Sequence, residues 1–314
     1  MSDLGTPWRV AAFVAALAVV LAASVGIGRA VGPVDAEPAE HAAGAEHGSA
    51  GHDSHDAGGS EESKTAAAVA GLSTSAAGYT LALADDRLAP GRRTLALTVT
   101  GPDGAAVTAY DVQHEKELHL VVVRRDLTGF QHVHPVLDRA TGEWTVDVDL
   151  TPGAWRVVAD LDPADGDPVV LGTDLLVSGP QQPVDIGAQR LADSVDGYDV
   201  TLGGSLVAGA ETELSLTVSR DGEPVTDLQP YLGAYGHLVA MRAGDLGYLH
   251  VHPEDGAPGP AISFHTAFPD PGAYRLFLDF RHGGEVHTAT FTVHVGEGHG
   301  HDGGHDEGGS GHDH

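Results

Sequence analysis

The sequence predicts an all-β protein with two tandem immunoglobulin-like or cupredoxin-like β-sandwich domains, one N-terminal transmembrane or signal helix, and disordered histidine-rich flanking segments. Apolar and polar residues alternate over short runs between residues 78 and 295, which is typical of strands with one buried face. Pro-Gly, Asp-Gly and Gly-Gly pairs break these runs where turns are expected. The whole pattern occurs twice, and about seven short strands in each copy suit a sandwich fold.

The predicted organisation follows the chain in seven segments. They are a short cytoplasmic N-terminus at 1–9, a transmembrane or signal helix at 10–28, a disordered His/Asp/Gly-rich linker at 29–77, a first β-sandwich at 78–178, an inter-domain linker at 179–196, a second β-sandwich at 197–295, and a disordered His-rich tail at 296–314.

The first element is an apolar segment without a charged residue between Arg9 and Arg29. Residues 10–28 come close to the roughly 20 residues that span a bilayer core. Arg9 favours a cytoplasmic N-terminus. We favour an uncleaved anchor, which would place the protein in the cell membrane as a single-pass protein with its bulk outside the cytoplasm. The alternative is a signal peptide cleaved near Ala30, which would give a secreted protein.

Strands are predicted at similar positions in the two copies. In the first copy they lie near 78–84, 93–100, 116–124, 130–134, 143–150, 154–161 and 169–177, and in the second near 197–203, 211–219, 235–242, 248–252, 261–268, 273–280 and 286–295. Pro152-Gly-Ala-Trp155 matches Pro271-Gly-Ala-Tyr274, and we predict that Trp155 and Tyr274 are core or corner residues. A duplicated unit of this length indicates a domain rather than a solenoid repeat.

The composition excludes several functions. The chain has 45 acidic and 16 basic residues and a net charge of −29, so it lacks the basic surface that nucleic-acid binding requires. It has no cysteine, which excludes disulfides, thiolate ligands and a blue-copper electron-transfer site. A bound metal would need histidine, carboxylate, methionine or backbone ligands.

Each copy contains an aromatic-x-His-Val-His-Pro motif, beginning at Phe130 and at Tyr248. Side chains two residues apart in a strand share one face, so His132 and His134 form one pair, and His250 and His252 form another. Their Cβ atoms would lie roughly 6–7 Å apart, and two imidazoles at that distance can converge on one ion. We expect Pro135 and Pro253 to end the strand at a sheet edge.

A third histidine lies thirteen residues before each pair, His119 in the first copy and His237 in the second. One strand, a turn and an antiparallel return would bring it beside the pair. Three imidazoles with one open position suit a copper or zinc ion. Unmatched extra donors would be Glu117 and His114 in the first copy, and Met241 and His265 in the second. The alternative is a histidine cluster that only stabilises the fold.

The flanking segments are also rich in histidine, interleaved with Asp and Glu. The residues are His41, His47, His52 and His55 before the domains, and His299, His301, His305, His312 and His314 after them. Such segments could load or buffer divalent metal weakly. They could also be soluble spacers.

These motifs resemble a known family. The stretch Asp126-Leu-Thr-Gly-Phe-Gln-His-Val-His-Pro135, which follows a Leu-His-Leu-Val-Val-Val strand and precedes Pro152-Gly-Ala-Trp155, resembles YtkA-like exported bacterial domains. More loosely it is similar to CopC-type and cupredoxin-like copper-handling proteins. The second copy departs from the pattern because Asp245-Leu-Gly-Tyr248 is one residue shorter. The resemblance implies an exported sandwich associated with heavy-metal handling.

The sequence therefore predicts an exported, membrane-anchored protein that binds copper or zinc for buffering, chaperoning or resistance. Its expected partners are divalent metal ions, the membrane through the N-terminal helix, and a metal-transport protein, with no nucleic acid. One alternative is a structural or adhesive surface protein with tandem immunoglobulin-like domains and no metal site. Another is a metal-dependent enzyme, which we do not favour because no nucleophile–base pair accompanies the histidines.

Overall fold

The computed structural model describes residues 69–254 and 256–297, except for the side chains of His250 and His252. The predicted anchor at 10–28, residues 29–68 of the predicted linker, and the tail from residue 298 lie outside the described residues. Within the described ranges, no helix is long and apolar enough to cross a membrane.

The first repeat is a sandwich of two five-stranded sheets. Its strands are β1 Ser75–Ala76, β2 Tyr79–Leu83, β3 Arg87–Leu88, β4 Gly91–Thr100, β5 Leu118–Arg124, β6 Gln131–Val133, β7 Val136–Asp138, β8 Glu143–Leu150, β9 Gly153–Leu161 and β10 Val169–Val177. One sheet has the order β1-β2-β4-β8-β7 and the other has the order β3-β10-β9-β5-β6. All pairs are antiparallel except β3 with β10.

The second repeat has the same main strands with a different connection between its sheets. Its strands are β11 Ala192–Val195, β12 Tyr198–Gly204, β13 Glu211–Arg220, β14 Glu223–Pro224, β15 Gly236–Arg242, β16 Tyr248–Pro253, β17 Ala261–Ala267, β18 Gly272–His282 and β19 Glu285–Val295. β16 pairs with β15 along its first part and with β17 at its end. The two layers are therefore one continuous sheet with the order β11-β12-β13-β17-β16-β15-β18-β19.

The prediction of an all-β chain with two repeats is confirmed. Trp155 and Tyr274 are fully buried corner residues, also as predicted. Trp155 Nε1 donates to the carbonyl of Thr151 at 2.8 Å, and Tyr274 Oη donates to the carbonyl of Asp270 at 2.8 Å. Both partners lie four residues upstream, so the two copies use the same device to anchor the turn before β9 and β18.

The two sandwiches pack on each other through one face of β5, β6 and β9 and one face of β15, β16 and β18. The residues buried between them, here called the interface cluster, are Val121, Val123, Leu127, Val158, Val239, Met241, Leu246, Tyr248 and Phe277. Alternate residues of β5, such as Leu120 and Val122, point into the core of the first sandwich instead. This explains why β5 and β15 carry continuous apolar runs: both of their faces are buried.

Three segments differ from the predictions. Residues 69–77, predicted as part of a disordered linker, include β1, and Ala70 exchanges two backbone hydrogen bonds with Tyr248 of 2.8 and 3.0 Å. The predicted linker 179–196 contains β11. In both places strand pairing satisfies the backbone polar groups and orders the chain. Pro253 is the last residue of β16, as predicted, but β16 lies between β15 and β17 and not at a sheet edge, and Pro253 pairs with Phe264.

Candidate metal centre

Three of the predicted ligands come together at the edge of the first sandwich. His119 Nδ1 lies 3.1 Å from His132 Nε2 and 3.2 Å from His134 Nε2. The three nitrogens all lie within 4.8 Å of one another, and the three side chains are partly buried. This spacing allows one ion to contact all three imidazoles after small side-chain adjustments, since metal–nitrogen bonds are about 2 Å long.

Strand register produces this convergence. His119 lies on β5 on the same face as Val121, which belongs to the interface cluster. Val121 is the antiparallel partner of His132 on β6, and directly paired residues share a face. His134 follows two residues later, just after the end of β6, at a strand edge next to Pro135. The edge strand and the proline thus leave the three imidazoles on one face near the rim of the sheet.

Neighbouring acceptors fix which nitrogens carry protons. His119 Nε2 lies 2.9 Å from the carbonyl oxygen of Gln113, which can only accept, so Nε2 is the donor. His132 Nδ1 lies 2.9 Å from a carboxylate oxygen of Asp279, so Nδ1 is the donor there. In the neutral form of both rings, the remaining nitrogens, His119 Nδ1 and His132 Nε2, direct lone pairs at the same point. A cation bound there would be shared by the two nitrogens.

Burial keeps the imidazoles of His119 and His134 neutral. It lowers the pKa of His119 to about 4, and it lowers the pKa of His134 to about 2 with help from the neighbouring His132 and His119. Both rings are therefore unprotonated at pH 7. A metal requires neutral imidazole ligands, and these two rings are already in that form at this pH.

The loop before β6 is held by its aspartate. Asp126 accepts hydrogen bonds from Arg124 Nη2 at 2.6 Å, from Thr128 Oγ1 at 2.7 Å and from the backbone N–H of Val184 at 2.9 Å. Burial alone would raise the pKa of Asp126, but these hydrogen bonds hold it well below its usual range. The next residue, Leu127, has a positive φ of 61° and is buried in the interface cluster. The Asp-Leu pair therefore fixes the direction in which the chain enters β6.

Gly129 in the same loop should not tolerate a side chain. Its φ is +65°, and an added Cβ would lie 2.7 Å from Cη2 of the fully buried Trp155. We expect Gly129→Ala to lower the free energy of unfolding by about 2–4 kcal/mol, measured by urea denaturation. Gly104→Ala is the matched control, because φ is +81° there and nothing lies within 4 Å. Equal losses in the two variants would show that contact with Trp155 is unimportant.

The second predicted triad is only partly within the described residues. His237 is buried and its Nε2 lies 2.8 Å from the carbonyl oxygen of Tyr231, the same arrangement as His119 with Gln113. Burial lowers the pKa of His237 to about 4. The backbone of His250 pairs with Val239, as His132 pairs with Val121. The side chains of His250 and His252 lie outside the described residues, so their convergence on His237 stays a prediction.

The described histidines of the two sandwiches lie close together. The ring of His237 is 6.4 Å from that of His132 and 5.5 Å from that of His114, and His114 is 6.0 Å from His119. A cavity of about 30 Å³ lies among these four rings, large enough for an ion or a water molecule. The centre is therefore at the interface between the sandwiches.

Three of the other predicted donors are engaged elsewhere. Glu117 pairs with Arg139 at 2.7 Å. Met241 is fully buried in the interface cluster, where it packs as an apolar side chain. His265 pairs with Glu254. Asp279 was not among the predicted residues, although it lies 2.9 Å from His132 Nδ1, because it is 147 residues away in the sequence. One sequence feature could have indicated Asp279: an aspartate occurs at matching positions of two buried strands, Asp160 on β9 and Asp279 on β18.

The sequence profile of a family described as a domain of unknown function, DUF8832, matches residues 74–174 and again residues 193–297. The chain belongs to this family. The two DUF8832 matches correspond to the two sandwiches, and each contains one His-Val-His motif with its upstream histidine. No curated protein matches the sequence significantly.

Solved structures with some similarity to these DUF8832 domains are distant. The chicken CNTN1 FN1-FN3 domains match 68% of this chain at 10% identity with a TM-score of 0.20. The native conformation of E. coli alpha-2-macroglobulin matches 73% at 14% identity and a TM-score of 0.23, and titin A168169 matches 68% at 14% identity and a TM-score of 0.19. This chain spans 66% of the CNTN1 fragment, 15% of the macroglobulin and 95% of the titin fragment.

Proposed function

We propose that this protein binds a divalent copper or zinc ion at His119, His132 and His134 and serves in metal buffering, chaperoning or resistance outside the cytoplasm. The observation that supports it best is the convergence of three imidazole nitrogens within 4.8 Å. In His119 and His132, one ring nitrogen hydrogen-bonds to Gln113 or Asp279, and the other ring nitrogen faces the common point. Three histidine ligands with room for a fourth group suit both ions.

The wider role depends on features that were predicted from sequence. Export follows from the apolar segment at 10–28, and metal delivery follows from the histidine-rich segments on both sides of the domains. In this proposal the flanking segments collect ions weakly and the folded centre holds one ion tightly. A second ion would bind His237, His250 and His252 if their side chains repeat the first arrangement.

Counting tightly held ions tests the proposal. We expect the purified full chain, dialysed with Zn²⁺ or Cu²⁺ against a competing chelator, to retain one more ion per chain than His119→Ala/His132→Ala/His134→Ala, because only the folded triad offers three prearranged imidazoles. Elemental analysis gives the count. The flanking histidines are present in both proteins, so their contribution cancels.

His294→Ala is the control for simple loss of a histidine, because His294 is exposed and lies outside the triad. It should retain the wild-type count. Far-UV circular dichroism of the metal-free proteins establishes that each variant is folded. Equal ion counts in the wild type and the folded triple variant would disprove the proposed centre.

A further inference from the structure

We infer that Asp279, a residue of the second sandwich, is the positioning residue for the metal centre of the first sandwich, so that the centre is complete only when the two sandwiches are docked. This inference rests on the proposed function. It assigns to the interface a role in metal affinity in addition to its role in packing.

The contacts of Asp279 hold its buried carboxylate in one position. Its side chain is 6% exposed, and its Oδ2 lies 2.9 Å from His132 Nδ1. Its other oxygen, Oδ1, accepts a hydrogen bond of 2.6 Å from Thr288. Among the described residues, Asp279 forms no ion pair with an arginine or lysine. A buried carboxylate in this situation is costly unless a positive charge lies nearby, and an ion bound by His132 would supply one.

The chemistry of the pair suits a metal ligand. A carboxylate that accepts a hydrogen bond from one imidazole nitrogen fixes the tautomer, holds the ring in place and makes the opposite nitrogen a stronger donor to a metal. His132 Nε2 is that opposite nitrogen, and it faces His119 Nδ1 at 3.1 Å. Asp279 therefore acts on the ion through His132 without contacting it.

The packing of the two sandwiches on each other fixes the geometry of the hydrogen bond between His132 and Asp279. Phe277 lies two residues before Asp279 on β18, so the two side chains share a strand face. Phe130 lies two residues before His132, immediately ahead of β6. The rings of Phe130 and Phe277 stack at 3.9 Å with an interplanar angle of 6°. The same two segments thus make an apolar contact and a polar contact side by side. Any shift between the sandwiches would break both.

Asp160 on β9 of the first sandwich provides a matched comparison for Asp279. Asp160 is the strand partner of His119, as Asp279 is the strand partner of His237. Asp160 also contacts the other sandwich, because it accepts a hydrogen bond of 3.1 Å from Tyr248 Oη. The hydrogen bond from His132 Nδ1 goes to Asp279 and not to Asp160. Asp160→Asn therefore removes an equivalent carboxylate at the interface and leaves the hydrogen bond to His132 in place.

Metal affinity of full-chain variants tests the inference. Each affinity for Zn²⁺ is measured by chelator competition as the difference from the same variant without the three histidines. We expect Asp279→Ala to weaken this triad-dependent binding by about 10–100-fold. Asp279→Asn should lose less, because its amide oxygen can still accept from His132 Nδ1, and it should change the hyperfine splitting of bound Cu²⁺ in electron paramagnetic resonance. Asp160→Asn should stay within about threefold of the wild type.

The outcomes separate the inference from the proposed function. If the wild type holds no triad-dependent ion, the proposed function fails, and this inference fails with it. If the wild type holds the ion and both Asp279 variants match it in affinity and hyperfine splitting, only the inference fails. Should Asp279→Ala not fold, the Asp279→Asn affinity and spectrum decide. A loss in Asp160→Asn as large as in Asp279→Ala would also overturn it, since any interface carboxylate would then suffice.

Discussion

Acidification from pH 7 to pH 4 is expected to destabilise the metal-free protein by roughly 3 kcal/mol for each of His119 and His134. Burial lowers the pKa of His119 from 6.5 to about 4 and the pKa of His134 from 6.5 to about 2. In the unfolded chain both rings are hydrated and take up protons near their ordinary pKa. Between pH 6.5 and pH 4 the unfolded state therefore binds protons that the folded state does not.

The direction of the effect follows from proton linkage. Stability rises with pH wherever the unfolded state binds more protons than the folded state. The contribution of the two histidines is therefore complete above pH 6.5 and falls as the pH drops. The decline ends near pH 4 for His119 and continues toward pH 2 for His134. A domain with a typical stability of about 5–15 kcal/mol could lose much of it in this range.

Urea denaturation of the metal-free protein at pH 7, 5.5 and 4 measures the effect. The variant His119→Gln/His134→Gln should show a shallower dependence on pH, because glutamine does not titrate. His294→Gln, which removes an exposed histidine, should follow the wild type. The prediction is wrong if the double variant loses as much stability between pH 7 and pH 4 as the wild type does.

The strands and the repeat were predictable from sequence because each depends on local pattern. The predicted strand 116–124 is β5 at Leu118–Arg124, and the predicted strand 273–280 is β18 at Gly272–His282. Alternating burial and turn residues act over a few positions, so one sequence contains enough information to place them. The grouping of His119 with His132 followed from the same reasoning, since antiparallel neighbours lie at a fixed spacing.

The interface was not predictable in the same way. Val121 and Val123 read as ordinary core residues, because a strand that is buried on both faces has no alternation to show which face meets another domain. Asp279 could not be paired with His132 because the contact depends on docking two separate sandwiches. The position of Pro253 in β16 also depended on that sandwich's own topology, in which one strand joins both layers.

Replacing Phe277 by alanine is expected to cost about 3–5 kcal/mol of unfolding free energy, the usual range for a large buried aromatic residue. Phe277 is 2% exposed, and its ring stacks on Phe130 of the other sandwich. The substitution leaves a cavity in the interface cluster and removes the contact that keeps β18 beside β6. Urea denaturation measures the loss, and Val286→Ala on the neighbouring β19 is the control, because Val286 is 43% exposed. That control should change stability by less than about 0.5 kcal/mol.

The same variant connects packing with metal binding. Asp279 follows Phe277 by two residues on the same strand face, so loosening the stack should also lengthen the hydrogen bond to His132. We therefore expect Phe277→Ala to weaken triad-dependent Zn²⁺ binding, as Asp279→Ala does. Phe277 itself has no polar side-chain atom with which to bind the ion. A loss of stability below about 1 kcal/mol would mean that the stacked rings contribute little to docking. A loss of about 3–5 kcal/mol in unfolding free energy with unchanged Zn²⁺ affinity would mean that His132 holds its orientation without the second sandwich.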